Sequence, residues 1–194
     1  MSLIRRIGKG SSIYTATAFL QKGLGLFLLP LYTRYLTPDD YGILAVVTAI
    51  NGFLSILFML SLNGAMNRFY FEYRDNPTLL KEFWGTVLTF VLILSIVFGV
   101  ILLATGEFLL KPAIGEIPFW PFVAMGVGAI IFQPFFNIYL SLLQTTEQSF
   151  AYGVYSIAQF LISVLLIISL VVFAGWGAEG PLAGTLVVAI LFFF

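Results

Sequence analysis

The sequence predicts an all-α integral membrane protein of about six helices, and three observations carry that prediction. The 194-residue chain is 60% hydrophobic and 9% charged with a mean hydropathy of +1.05, against roughly 45–50% apolar and 25% charged residues in a soluble domain. Nine basic and nine acidic residues cannot form a polar shell around a soluble core of this size, so the bilayer is the solvent. Long charge-free intervals recur along the chain, each near the roughly 20 residues that cross a hydrocarbon core of about 30 Å. The same composition excludes other chemistry. With no Cys and no His, disulfides, thiol chemistry, imidazole bases and nearly all zinc or haem ligation are removed, and no metal or cofactor is expected. A net charge of zero leaves no electrostatic footprint for nucleic acid.

The expected spans run at 11–35, 41–64, 84–105, 119–143, 151–174 and 181–194, within one membrane unit over 1–194. The first is interrupted by Lys22 and Arg34. Its basic lead, with Arg5, Arg6 and Lys9, resembles a signal peptide but has no small-residue cleavage site behind it, so the span is read as retained. The second starts at Thr37-Pro38-Asp39-Asp40, a capping hydroxyl, a proline suited to the first helical position and two carboxylates at the positive end of the helix dipole. Asn76-Pro77-Thr78 opens a short amphipathic lead into the third, and the stretch from Asn67 to Asp75 before it reads as a loop. Lys111-Pro112 to Pro118 turns the chain into the fourth, and Gly180-Pro181 opens the sixth. From Pro181 to Phe194 a helix reaches only about 21 Å, short of the core thickness. The last helix is therefore expected to be truncated, in a chain that begins something longer. Arg5, Arg6, Lys9, Arg68, Arg74 and Lys81 lie on one side of these spans and only Arg34 and Lys111 on the other, which puts the N-terminus in the cytoplasm.

Lys22 is the most informative single residue. It lies about 15 Å from either end of its span, too deep to snorkel fully, where a charge costs roughly 2.5–3.5 kcal/mol. At 100° per residue it shares a face with Ser11, Thr15, Ala18 and Gly25. It is either a cationic anchor for an anionic substrate group or a structural partner of a carbonyl or carboxylate in the bundle. Polar stripes recur at Thr48, Asn51 and Ser55, at Gln133, Asn137, Ser141 and Gln144, and at Tyr152, Ser156, Gln159 and Ser163. Any one of them serves as interhelical hydrogen-bond glue. Taken together with the lysine stripe they point to a polar cavity inside the bundle, with Gln133, Asn137, Ser141 and Gln144 turned inward. Pro134, between Gln133 and Asn137, frees backbone carbonyls beside that stripe, as a hinge, a cation site or a structural bend. Arg68 leads an aromatic and charged run, Phe69 to Asp75, suited either to an interfacial belt or to holding a phosphate. The acidic residues stand in loops or at span ends with no pair inside a cavity, so no catalytic site is read and no enzyme is expected.

The run Leu29-Pro30-Leu31-Tyr32-Thr33-Arg34-Tyr35-Leu36-Thr37-Pro38-Asp39-Asp40-Tyr41-Gly42, followed by Asn67-Arg68-Phe69-Tyr70, resembles the first two spans of bacterial oligosaccharide flippases. These are the O-antigen and capsule precursor exporters of the polysaccharide transporter family, related to the multidrug and toxin extrusion transporters and the lipid II flippase. The resemblance implies twelve to fourteen spans in two six-helix lobes around a central cavity, with this chain as the N-terminal six-helix lobe. It implies alternating access in the bacterial inner membrane, with a polyprenyl-diphosphate-linked oligosaccharide and membrane lipids as partners and a proton or sodium as the coupling ion. Lys22 is then the nearest match to a basic residue in the first helix that serves the diphosphate in the lipid II relative. Asn51, Arg68, Gln133, Asn137 and Gln159 complete the expected substrate contacts. A cation-coupled drug antiporter of the same fold is expected to bury a carboxylate, which these spans lack, and a membrane-embedded polysaccharide polymerase would need a large loop with paired acids or Arg clusters. A scaffold whose stripes only pack helices is the remaining alternative.

Overall fold

The computed structural model describes residues 3–59 and 62–193. Leu60 and Ser61 of the second expected span, Phe194 of the sixth and the side chains of Arg5, Arg6 and Lys9 lie outside the described residues. The fold is 89% helical, with no strand among the described residues.

Eight α-helices follow in order among those residues: α1 (Leu3–Tyr35), α2 (Pro38–Met59), α3 (Leu62–Tyr73), α4 (Pro77–Leu109), the single turn α5 (Lys111–Ile114), α6 (Ala124–Thr145), α7 (Ser149–Ile168) and α8 (Glu179–Leu191). A kink in Phe119–Val123, where Trp120 is extended at φ −96° and ψ 131°, leads into α6, and a wider turn, Ser169–Phe173, continues α7. Four segments are long and apolar enough to cross a membrane: Pro38–Phe58, Pro77–Leu109, Phe119–Thr145 and Ser149–Phe173. α1 has 33 residues and carries Lys22 near its middle, whereas α8 has 13.

Local sequence explains the starts. Asp40 Oδ2 accepts the Thr37 N–H at 2.9 Å and its hydroxyl at 2.8 Å, and Thr37 Oγ1 accepts the Asp40 N–H at 3.2 Å. This reciprocal cap satisfies donors that the first turn of α2 would otherwise leave open. Asn76 Oδ1 accepts from the Thr78 and Leu79 N–H groups at 3.2 and 3.3 Å, with Pro77 at the first helical position of α4. Two details differ from expectation. The segment read as a loop from Asn67 is helical as far as Tyr73, because Phe69, Tyr73 and Phe83 stack against one another and fasten α3 to α4. The expected lead after Asn76 is not a separate element. It is the first part of a single 33-residue helix, about 50 Å long.

α6 is the hub and packs on α2, α4, α7 and α8, while α1 packs chiefly on α7. The main core lies between α2, α4 and α6, where Val47, Phe58, Val123 and Val127 have no exposed surface. Met66, Val87, Val91, Phe135 and Ile138 form a second cluster that ties α3 and α4 to α6. At the other end of the lobe, Asp40 Oδ1 accepts the Ala178 N–H at 2.8 Å across 138 residues. Gly177, at φ 48°, permits this approach, since a Cβ there would be strained and would stand 2.9 Å from the same oxygen.

Candidate functional site

The α1–α7 contact is built from small and polar side chains. Gly153 lets the helices meet closely, since a Cβ there would lie 3.2 Å from Ile13 Cγ2 and 3.4 Å from Thr17 Oγ1. Thr17 and Ser156 are buried in the seam. One turn further, Gln21 Nε2 donates to both the carbonyl and the hydroxyl of Ser156, each at 2.9 Å. In a low-dielectric surrounding such bonds fix the two helices in register.

The Gln21 amide also forms one wall of a half-open cavity of about 310 Å³ between α1, α6, α7 and α8. Its polar lining is Gln21, Gln133, Gln159, Ser163 and Thr185. The Thr185 hydroxyl donates to the Pro181 carbonyl at 2.8 Å and is satisfied within its own helix. Among the described residues, the Gln133 and Gln159 amides have no protein hydrogen-bond partner. Both side chains are half-buried at the pocket, where an amide without a protein partner is served by a ligand or by water. Each amide both donates and accepts, so the lining matches a group that does the same, such as a hydroxyl-rich ligand or water. No lining residue is ionisable, and no cluster that could hold a metal ion occurs among the described residues.

The expected contact residues separate in space. Gln133 and Gln159 meet in the cavity. Lys22, the residue after Gln21, is exposed and outside the lining, 1.5 Å further along α1 and 100° around it. Asn137 and Gln144 are exposed and Ser141 is half-buried. The inward turn expected for all four α6 positions therefore holds at Gln133, where α6 meets α7 and α8, and is not followed by Asn137 and Gln144. Asn51 belongs to a different contact, the α2–α6 interface, where a Cβ on Gly126 would stand 2.9 Å from its Nδ2. Its Oδ1 is buried with no partner among the described residues. Arg68 is exposed on α3 with its guanidinium 5.9 Å from the Phe69 ring centroid, away from the cavity. Pro134 is buried beside Gln133 and has no N–H for the Ile130 carbonyl.

Two cavity residues escaped the sequence reading. Gln21 stands beside the more conspicuous lysine, although the spacing Tyr14, Thr17, Gln21 on α1 already marks a polar packing face. Thr185 lies in the last helix, where no stripe was read.

The apolar helices define a membrane protein, with a partly polar pocket between α1, α6, α7 and α8. The model of the polysaccharide biosynthesis protein family matches residues 7–193, and the chain belongs to that family. Comparison with curated proteins and with solved structures gives no match.

Proposed function

We propose that this chain is part of a flippase that carries a polyprenyl-diphosphate-linked oligosaccharide across the bacterial inner membrane by alternating access, supplying O-antigen or capsule synthesis. The observation that carries this reading is the uncharged cavity lined by Gln21, Gln133 and Gln159, whose amides suit sugar hydroxyls. Lys22, beside Gln21 and exposed at mid-helix, supplies the cation for the diphosphate. Asn137, one turn along α6 from Gln133, extends the sugar contacts toward the open side. Asn51, whose Oδ1 is buried without a partner among the described residues, is a further substrate contact in a state that opens the α2–α6 interface, and Arg68 holds a phosphate at the membrane surface. The N-terminus is cytoplasmic, and a proton or sodium drives the cycle from outside the amide cavity. The family and the membrane-spanning helices support a transporter in preference to an enzyme.

The test measures surface glycan export and membrane abundance together. Gln133→Leu and Gln159→Leu keep side-chain bulk and remove the amides, so export should fall at least about tenfold, equivalent to roughly 1.4 kcal/mol of lost interaction, at normal abundance. Full export by both variants defeats the reading. For the lysine, Lys22→Arg should retain transport while Lys22→Ala and Lys22→Gln abolish it, and full export by Lys22→Met at normal abundance removes the anchor role.

A further inference from the structure

The hydrogen-bonding groups that line the amide cavity are unequal in kind. Gln21 Nε2 uses both of its hydrogens on Ser156, one on the carbonyl and one on the hydroxyl. A carbonyl only accepts, so this amide cannot turn over without losing the bond, and Oε1 is the group that Gln21 keeps for the cavity. The Thr185 hydroxyl hydrogen is likewise taken by the Pro181 carbonyl, which leaves an oxygen that accepts. Gln133, Gln159 and Ser163 have no protein hydrogen-bond partner among the described residues and offer donors as well as acceptors. The lining therefore presents acceptors at five side chains and free donors at only three. An ionised acid group has no hydrogen to give. In this cavity it would face the oxygens of Gln21 and Thr185 unsatisfied, with no cation in the lining to offset its charge. A ligand hydroxyl or N–H satisfies those same oxygens.

We propose that the cavity is a subsite for an uncharged sugar unit whose hydroxyl or amide N–H groups donate to Gln21 and Thr185, so that it selects neutral over acidic sugars. This rests on the flippase reading for the presence of a sugar, and it adds the class of sugar and the two residues that set it. Gln133, Gln159 and Ser163 accommodate the remaining hydroxyls in either sense, because each donates and accepts. Phe160 and Val188 complete the lining and give the C–H face of a sugar ring an apolar wall, a contact that water alone does not use. Charge elsewhere on the substrate is left to Lys22, which is exposed outside the lining.

The experiment measures equilibrium binding of soluble trisaccharides to the protein in lipid nanodiscs. Three kinds are compared: a neutral one, its deoxyfluoro analogues in which fluorine replaces the hydroxyls one at a time, and one in which a hexuronic acid replaces a hexose. The acidic ligand, and the fluorinated analogues that lose a donor to Gln21 or Thr185, should bind about tenfold more weakly than the neutral parent. Thr185→Val should weaken the parent and reduce its advantage over one of those analogues. Gln159→Lys, or Gln133→Lys where the first lowers the Tm, should bring the acidic ligand level with the neutral one or above it. Acidic and neutral ligands that bind the wild type equally, or fluorinated analogues that all match the parent, overturn the proposal. Sodium that competes the neutral ligand away assigns the oxygens to a cation and overturns it too. Sugar binding that is absent, or indifferent to Gln133→Leu and Gln159→Leu, counts against the flippase reading and takes the subsite with it. Binding that depends on both glutamines but ignores acid and fluorine defeats the subsite alone.

Discussion

The α2–α6 and α1–α7 contacts use the same device, a glycine on the second helix that lets the first come close, and reach opposite ends. At Gly126 an added Cβ would lie 2.6 Å from Val47 Cγ1, and Val47, Val123 and Val127 are completely buried around it. At Gly153 the nearest atoms stand at 3.2 and 3.4 Å, and the seam is completed by Thr17, Ser156 and the two-acceptor bond from Gln21. The first contact is tightly packed and mostly apolar, with the Asn51 amide also held against Gly126. The second leaves a groove on one flank and a polar cavity beside it. Close approach by itself therefore does not close a membrane bundle. The difference lies in the partner side chains: branched apolar groups and one amide crowd the first glycine, whereas the second contact is joined by hydroxyls and the Gln21 amide with looser surroundings.

The largest expected effect tests this contrast directly. Gly126→Leu forces bulk into a site already tight at Cβ, and should destabilise the protein by about 1–3 kcal/mol, read as lower membrane abundance and a lower Tm in detergent. Gly153→Ala, with its looser surroundings, should cost less. The reverse order would break the comparison. A smaller effect is expected at the link between the two regions. Asp40→Ala removes the carboxylate half of the α2 cap, worth about 1 kcal/mol, keeps the bond from the residue-40 N–H to Thr37 Oγ1, and leaves the Ala178 N–H without its acceptor. Hydrogen exchange at Ala178 should accelerate, and exchange that stays at the wild-type rate would mean that the bond contributes nothing to holding the loop. The smallest effect sharpens the polar side. Gln21→Leu and Ser156→Ala should each cost about 0.6–1.5 kcal/mol with non-additive sums, and a double-mutant cycle giving no coupling would show that packing alone holds α1 on α7.

Local features were legible before the fold was described. The caps at Thr37 and Asn76 depend on atoms within three residues, so their spacing suffices to find them. Gln133 and Gln159 stood out as polar positions at helical period, and the cavity unites them. Period alone does not say which part of a stripe a neighbouring helix covers, which is why Asn137 and Gln144 are exposed. Asn51 reads as a cavity residue on its own helix, but α6 brings Gly126 against it. The second role of Asp40 was hidden for the same reason, because its partner is 138 residues away and one oxygen already explained the carboxylate. α3 was obscured by its alternation of aromatics and charges, which resembles a surface loop until the stacking of Phe69 on Tyr73 is seen.

The neutrality of the amide cavity bears on energy as well as on ligand choice. Moving one elementary charge through the membrane field is worth about 2.3 kcal/mol per 100 mV. Gln21, Gln133, Gln159, Ser163 and Thr185 carry no such charge, so their own displacement exchanges no work with the membrane potential. They do not titrate either, and their hydrogen bonding is indifferent to the pH on the two sides of the bilayer. Among the described residues Lys22 is the one formal charge near the middle of a long helix, so a membrane field that reaches α1 would act there on one side chain while leaving its neighbour Gln21 untouched.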